Sequence, residues 1–362
     1  MGNIVLYIVA IFFLIGAIDY IDGNRLELGN IFEDGIKTMG SLAISMVGIL
    51  SLTPVFSQVL SEILLPIAQR ISLDASIFSG SLIAVDMGGF NLSKDLASSS
   101  AMGNLSGILM ASILGCTISF TLPLAIGVVR KENLEILFKG ILCGIIAIPI
   151  GLFVGGIMIG VPFKELIYNL IPVILIALAL AIGVTFMTSK IIFIFRCIGK
   201  VITILSILGL IIQGFKSICG ITLLDNLMPL EEVLTIVGKI AIFLGGAYVM
   251  LEIIKKCLKK SLEKLSKKVN MDINSIAALI GSLASAIVVF TNYDDLDDKG
   301  KVICTAFSVG GAYVFGGQMG YVSNVAPELL ITYITVKLLC GILAIIFAVI
   351  FLNYENKNKV KV

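Results

Sequence analysis

Nine runs of about twenty mostly apolar residues constrain this chain more than anything else in its sequence: 3–22, 36–57, 102–129, 138–160, 169–188, 192–213, 233–254, 302–325 and 327–352. A helix of that length crosses the hydrocarbon core of a bilayer. Composition agrees, with 58% of the 362 residues apolar, 14% charged and a mean hydropathy of +1.08. A soluble domain sits near ~45–50% apolar and ~25% charged. The expected class is an all-α polytopic membrane protein.

Two further apolar stretches, 75–93 and 274–293, are shorter and interrupted by polar residues. Their nature follows from charge. The segment 255–268 (KKCLKKSLEKLSKK) carries seven Lys and the tail 353–362 carries three. Positive residues gather on the cytoplasmic side, so both segments are expected there. Three full crossings between them would leave them on opposite faces. The conflict disappears if 274–293 is a re-entrant hairpin, and 75–93 is read the same way. The result is nine crossings and two hairpins, with the N-terminus outside and the C-terminus cytoplasmic. Cytoplasmic segments then hold 20 of the 26 Lys and Arg, and external ones hold four, Arg70, Lys94, Lys164 and Lys216. The alternative makes both stretches full spans, eleven in all. No Lys or Arg precedes the first run, which is therefore read as a span and not a signal peptide.

The absences narrow the chemistry. There is no His, which excludes His-based triads and His-ligated metals, and no Trp. The seven Cys form no CxxC pair and read as reduced packing residues. Neither GxSxG, HExxH nor a Walker A loop occurs. The positive charge follows membrane topology, so nucleic acid has no support as a partner. The expectation is a protein that is not an enzyme, with no cofactor and no metal.

The two short stretches also resemble each other. GSLIAVDMGGF begins at Gly80 and GSLASAIVVF at Gly281. Each follows a polar break and leads through an acidic loop into a Gly-rich run, at an offset close to 200. The expected plan is an inverted repeat, with repeat one over 1–160, a linking span at 169–188, repeat two over 190–352 and a cytoplasmic tail at 353–362. Inverted repeats with interrupted helices place a solute site near the bilayer midplane.

Candidate site residues follow from that plan. Asp86 is the acidic residue deepest in apolar sequence, and a carboxylate in a bilayer is a functional candidate by default. Gly88 and Gly89 weaken the helix beside it and let main chain approach a solute. Asn91 offers a neutral hydrogen-bonding group. In the second half, Asn292 and Tyr293 lie near the membrane end of hairpin two, and a Tyr face attracts an ammonium. Gln318 is an amide in mid-span that needs a partner, and Asn324 is placed at the external mouth. Pro54 and Pro149 are expected to bend their spans. Lys337 is expected to snorkel to the external interface, with pairing to a buried carboxylate as the alternative. The 255–268 segment reads as a basic surface helix against anionic lipid headgroups.

The segment LIAVDMGGFNLSKDLA (82–97) resembles the signature of the ethanolamine-utilisation permease family, EutH. The resemblance extends to FEDGIKTMGSLAISMVGILSLTPV (32–55), RKENL (130–134) and DDLDDKGKVICTAF (294–307), and covers nearly the whole chain. It implies import of ethanolamine, a small hydroxylated cation. The family's second repeat has Gly-Asp-His-Leu-Gly before the last span, where this chain has Gly316-Gly317-Gln318-Met319-Gly320. The expected function is a secondary transporter of ethanolamine or a related small polar amine, working by alternating access at a midplane site. The coupling ion, sodium or proton, and the oligomeric state are left open. The alternatives are a non-transporting membrane sensor or assembly subunit, and a passive facilitator.

Overall fold

The computed structural model describes residues 2–186, 188–269 and 271–359, and every regular element among them is helical. Seven helical stretches are long and apolar enough to cross a membrane. They are α1 (Gly2–Ile21), a long rod over Ser100–Val128, α8 (Leu134–Met158), α9 (Phe163–Phe186), α10 (Thr188–Cys219), α11 (Leu230–Val269) and α16 (Leu330–Lys359). Seven of the nine expected crossings are therefore represented.

The other two runs are divided. The run 36–57 ends its first helix, α2 (Gly29–Ser51), at Leu52 and resumes as α3 (Thr53–Arg70). Pro54 lacks the N–H that would continue the ladder there. α8, in contrast, is one helix through Pro149. The run 302–325 is two helices, α14 (Asp298–Gly310) and α15 (Gly317–Val325), separated by irregular backbone at 311–316. Hydropathy is continuous across this gap, which is why the sequence reads as one span.

The two short stretches fold back on themselves. In the first, α4 (Ser76–Leu82) and α5 (Gly89–Leu96) lie side by side, with Ser79 Oγ 2.9 Å from Ser93 Oγ. Their link, 83–88, turns through a short 3-10 segment, and Gly88 takes φ +93°, a conformation that a Cβ would penalise. In the second, α12 (Ile273–Ser282) and α13 (Ile287–Thr291) flank the link 283–286. Each is tied at its base by a carboxylate. Asp74 accepts from the N–H of Ser76 at 3.0 Å and of Ser98 at 2.9 Å, and from both hydroxyls. Asp297 accepts from the Asp272 N–H at 3.2 Å and the Ser275 hydroxyl at 2.5 Å.

The rod over Ser100–Val128 is the most buried of the long helices. Its ends, α6 (Ser100–Asn104) and α7 (Leu122–Val128), are α-helical, and Leu105–Gly115 and Thr117–Thr121 between them are π-wound. Wider winding of this kind concentrates at functional sites. α2 packs on α10 and α11, and α1 packs on α11. α8 packs on α9, α14 and α16. The first hairpin leans on the rod and the second on α14. The side chains of 258–269, where most of the expected basic lipid-facing surface falls, lie outside the described residues, although the main chain there continues α11.

Candidate functional site

Each hairpin link meets the irregular middle of the helix that follows it. On the first, the Ala84 N–H, freed by the end of α4, donates to Ser119 Oγ on the rod at 3.1 Å. Ser119 itself donates to the Gly115 carbonyl at 2.8 Å. The Met87 and Gly89 N–H groups both donate to the Ala84 carbonyl at 3.0 Å, so the tight turn satisfies its own donors. On the second, the Tyr313 N–H donates to the Ser282 carbonyl at 3.1 Å, and the Phe315 N–H donates to the Leu283 carbonyl at 2.8 Å. The gap between α14 and α15 is thus hydrogen-bonded to the tip of hairpin two. Gly316 permits this, because a Cβ there would collide with the Ala284 carbonyl. Tyr313 holds φ +63°, a costly conformation for a bulky residue. The Tyr333 hydroxyl pins it by donating to the Tyr313 carbonyl at 2.9 Å.

Between the two tips lies a cavity of ≈ 380 Å³. α2 contributes Thr38 and Met46, hairpin one Ala84, Asp86 and Met87, and the rod Cys116 and Phe120. From the other half come Leu244 and Tyr248 of α11, Ala284, Ser285 and Ile287 of hairpin two, and Tyr313, Gly317 and Gln318. Asp86 is half-buried on this wall, and among the described residues no ion pair within 4.0 Å includes it.

Gln318 is buried. Its Oε1 accepts from Lys337 Nζ at 2.8 Å, and its Nε2 has no hydrogen-bond partner among the described residues. Lys337 is 2% exposed and also donates to the Ser112 carbonyl of the rod at 2.7 Å, with its Nζ 5.6 Å from the Tyr333 ring centre. The expected snorkelling of Lys337 is therefore corrected. Two oxygen acceptors and an aromatic face offset the loss of water, and the head group stays inside. The alternative of direct pairing with a carboxylate is not seen either, because its partners are a carbonyl and an amide.

The eight residues singled out from sequence separate clearly. Asp86 and Gln318 line the cavity together. Gly88 and Gly89 shape the turn that carries Asp86; a Cβ on Gly89 would crowd the Ala84 carbonyl. Asn91 is half-buried in α5 and Asn324 in α15, and neither lines the cavity. Asn292 is exposed and donates to the Val288 carbonyl of its own helix at 2.9 Å. Tyr293 is buried away from the cavity, with its hydroxyl 3.1 Å from Thr305 Oγ1 and the Lys301 ammonium 6.0 Å from its ring centre. Thr117 and Ser119 bond back to their own helix, and Thr117 also donates to the Val309 carbonyl at 3.2 Å. Sequence reasoning missed Ser285. The signal was present, since registering the two GSL motifs sets Ala84 and Asp86 opposite Ser285 and Ile287.

Residues 1–351 match the family model described as "Ethanolamine utilisation protein, EutH". A protein of Listeria monocytogenes named "Probable ethanolamine permease EutH" is 37% identical over 362 residues, covering 100% of this chain and 97% of the relative. Proteins with the same name from Escherichia coli and Salmonella typhimurium are each 31% identical, covering 100% of this chain and 98% of each relative. No solved structure matches.

Proposed function

The chain belongs to the ethanolamine utilisation protein EutH family, and from that premise we propose that it is a secondary transporter importing ethanolamine or a close small polar amine across the cytoplasmic membrane. Three of its relatives are named as probable permeases. The observation that carries the reading is that Asp86 and Gln318, on the broken elements of the two halves, share one cavity. A primary amine is cationic at neutral pH, and the Asp86 carboxylate is its countercharge. The Gln318 Nε2 donor, which lacks a partner among the described residues, meets the hydroxyl oxygen. The volume of ≈ 380 Å³ is ample for a solute of so few atoms and leaves room for water.

The inverted repeat is part of this proposal, and equivalent contacts support it. α1 meets α11 where the Gly246 main chain lies against Val9, and α10 meets α2 where Gly209 lies against Gly48. Val9 and Gly209, like Gly48 and Gly246, stand about 200 positions apart. In this reading both hairpins are re-entrant from opposite faces, the N-terminus is outside, and the cytoplasmic 255–268 helix rests on anionic headgroups. One repeat rocks against the other to expose the cavity alternately.

Uptake of labelled ethanolamine into sealed proteoliposomes tests the proposal. Asp86→Asn is expected to lower the rate at least tenfold, the order of effect for removing a charged hydrogen-bond partner. Wild-type uptake by that variant would remove Asp86 from the site. Saturable ethanolamine binding without net flux would turn the reading to a sensor.

A further inference from the structure

Lys337 acts on the cavity without lining it. Its ammonium can only donate, so the group that Gln318 turns toward it must be the carbonyl oxygen. The two ends of a glutamine amide are nearly the same size, and packing alone does not choose between them. The Ser112 carbonyl holds the ammonium in place from the far side at 2.7 Å, and the Tyr333 ring lies beside it. The amide is thereby locked with two N–H donors left over, and Gln318 Nε2 makes no hydrogen bond among the described residues.

We propose that Lys337 is a positioning residue for specificity: by fixing the Gln318 amide, it makes the cavity select an amine that carries a hydrogen-bond acceptor about two carbons from its nitrogen. This rests on the assignment of Asp86 to the ammonium group. An alkyl amine of the same length offers a methyl where the hydroxyl stands, and leaves the buried donor unpaired, which is how such a site rejects an analogue. One neutral hydrogen bond is worth about tenfold in this comparison.

The measurement is the ratio of kcat/KM for ethanolamine to that for n-propylamine in sealed vesicles. Wild type is expected to favour ethanolamine. Lys337→Met is expected to reduce the preference about tenfold, because the amide is then free to turn its oxygen inward. Gln318→Met is expected to reduce it as far, and the double variant no further. If Lys337→Met slows both amines in step and leaves the ratio unchanged, the residue is only structural and the proposal is overturned. Should Lys337→Met fail to accumulate, Gln318→Met decides alone, and an unchanged ratio there overturns the proposal too. Failure of the underlying reading looks different: Asp86→Asn then transports ethanolamine at the wild-type rate whatever the ratio does.

Discussion

Asp74 shows how one side chain holds an interrupted helix in shape. It is 7% exposed and gathers two main-chain N–H groups and two serine hydroxyls from both ends of the first hairpin. Asp74→Ala leaves those donors buried and unpaired, at a cost of about 3 kcal/mol. The thermal midpoint in detergent should fall clearly, and an unchanged midpoint would show that the hairpin base does not depend on this carboxylate. At this scale the sequence was partly legible. Asp86 stood out because no other carboxylate lies so deep in apolar sequence, and lipid makes such a residue costly to keep without use. Lys337 did not stand out as interior. One of its partners is a main-chain carbonyl 225 residues away, and no side-chain pattern announces a carbonyl. Asn292 misled for a related reason, since a polar residue next to an apolar run can bond to its own helix.

Among the elements, the interrupted helices matter most. The gap at 311–316 exists because hairpin two supplies two carbonyl acceptors to its N–H groups. Gly316→Ala places a methyl against the Ala284 carbonyl and pushes the hairpin tip out of register. Ethanolamine uptake should drop at least tenfold with the protein still monodisperse, on the reasoning that a small misplacement near a site costs on the order of a hundredfold. Uptake equal to wild type would show that the gap tolerates the added atoms. The long spans were legible from length and hydropathy alone. The break at Leu52 had a marker in Pro54. The division of 302–325 had only its density of Gly, which equally suits close helix packing. What decides between those outcomes is the neighbouring hairpin, a tertiary partner that local sequence does not contain.

On the scale of the whole molecule, a native thiol reports on the cavity. Cys116 lines it, whereas Cys143, Cys304 and Cys340 are buried elsewhere, and Cys197, Cys219 and Cys257 are exposed. With the three exposed thiols replaced by Ser, a small cationic thiol reagent should modify Cys116, and ethanolamine should slow the reaction several-fold. Modification at the same rate with and without ethanolamine would place the solute outside this cavity. The repeated GSL motif and the constant offset are what the proposed pairing of equivalent helices rests on in the sequence. The cavity between them was not legible there, since it is bounded by residues from six separate parts of the chain.

The buried ammonium of Lys337 has an electrical consequence. Its positive charge offsets that of the Asp86 carboxylate in this reading, so the empty site of the proposed carrier is close to neutral. Occupation by an organic cation then adds one elementary charge to whatever moves through the bilayer. A potential negative inside pulls on the loaded step and leaves the return of the empty protein untouched. That step is worth about 2.3 kcal/mol per 100 mV. Vesicles polarised by a potassium gradient and valinomycin should accumulate ethanolamine when their interior is negative and release it when the polarity is reversed. Uptake indifferent to that polarity would mean that the charge of the solute is cancelled during transit.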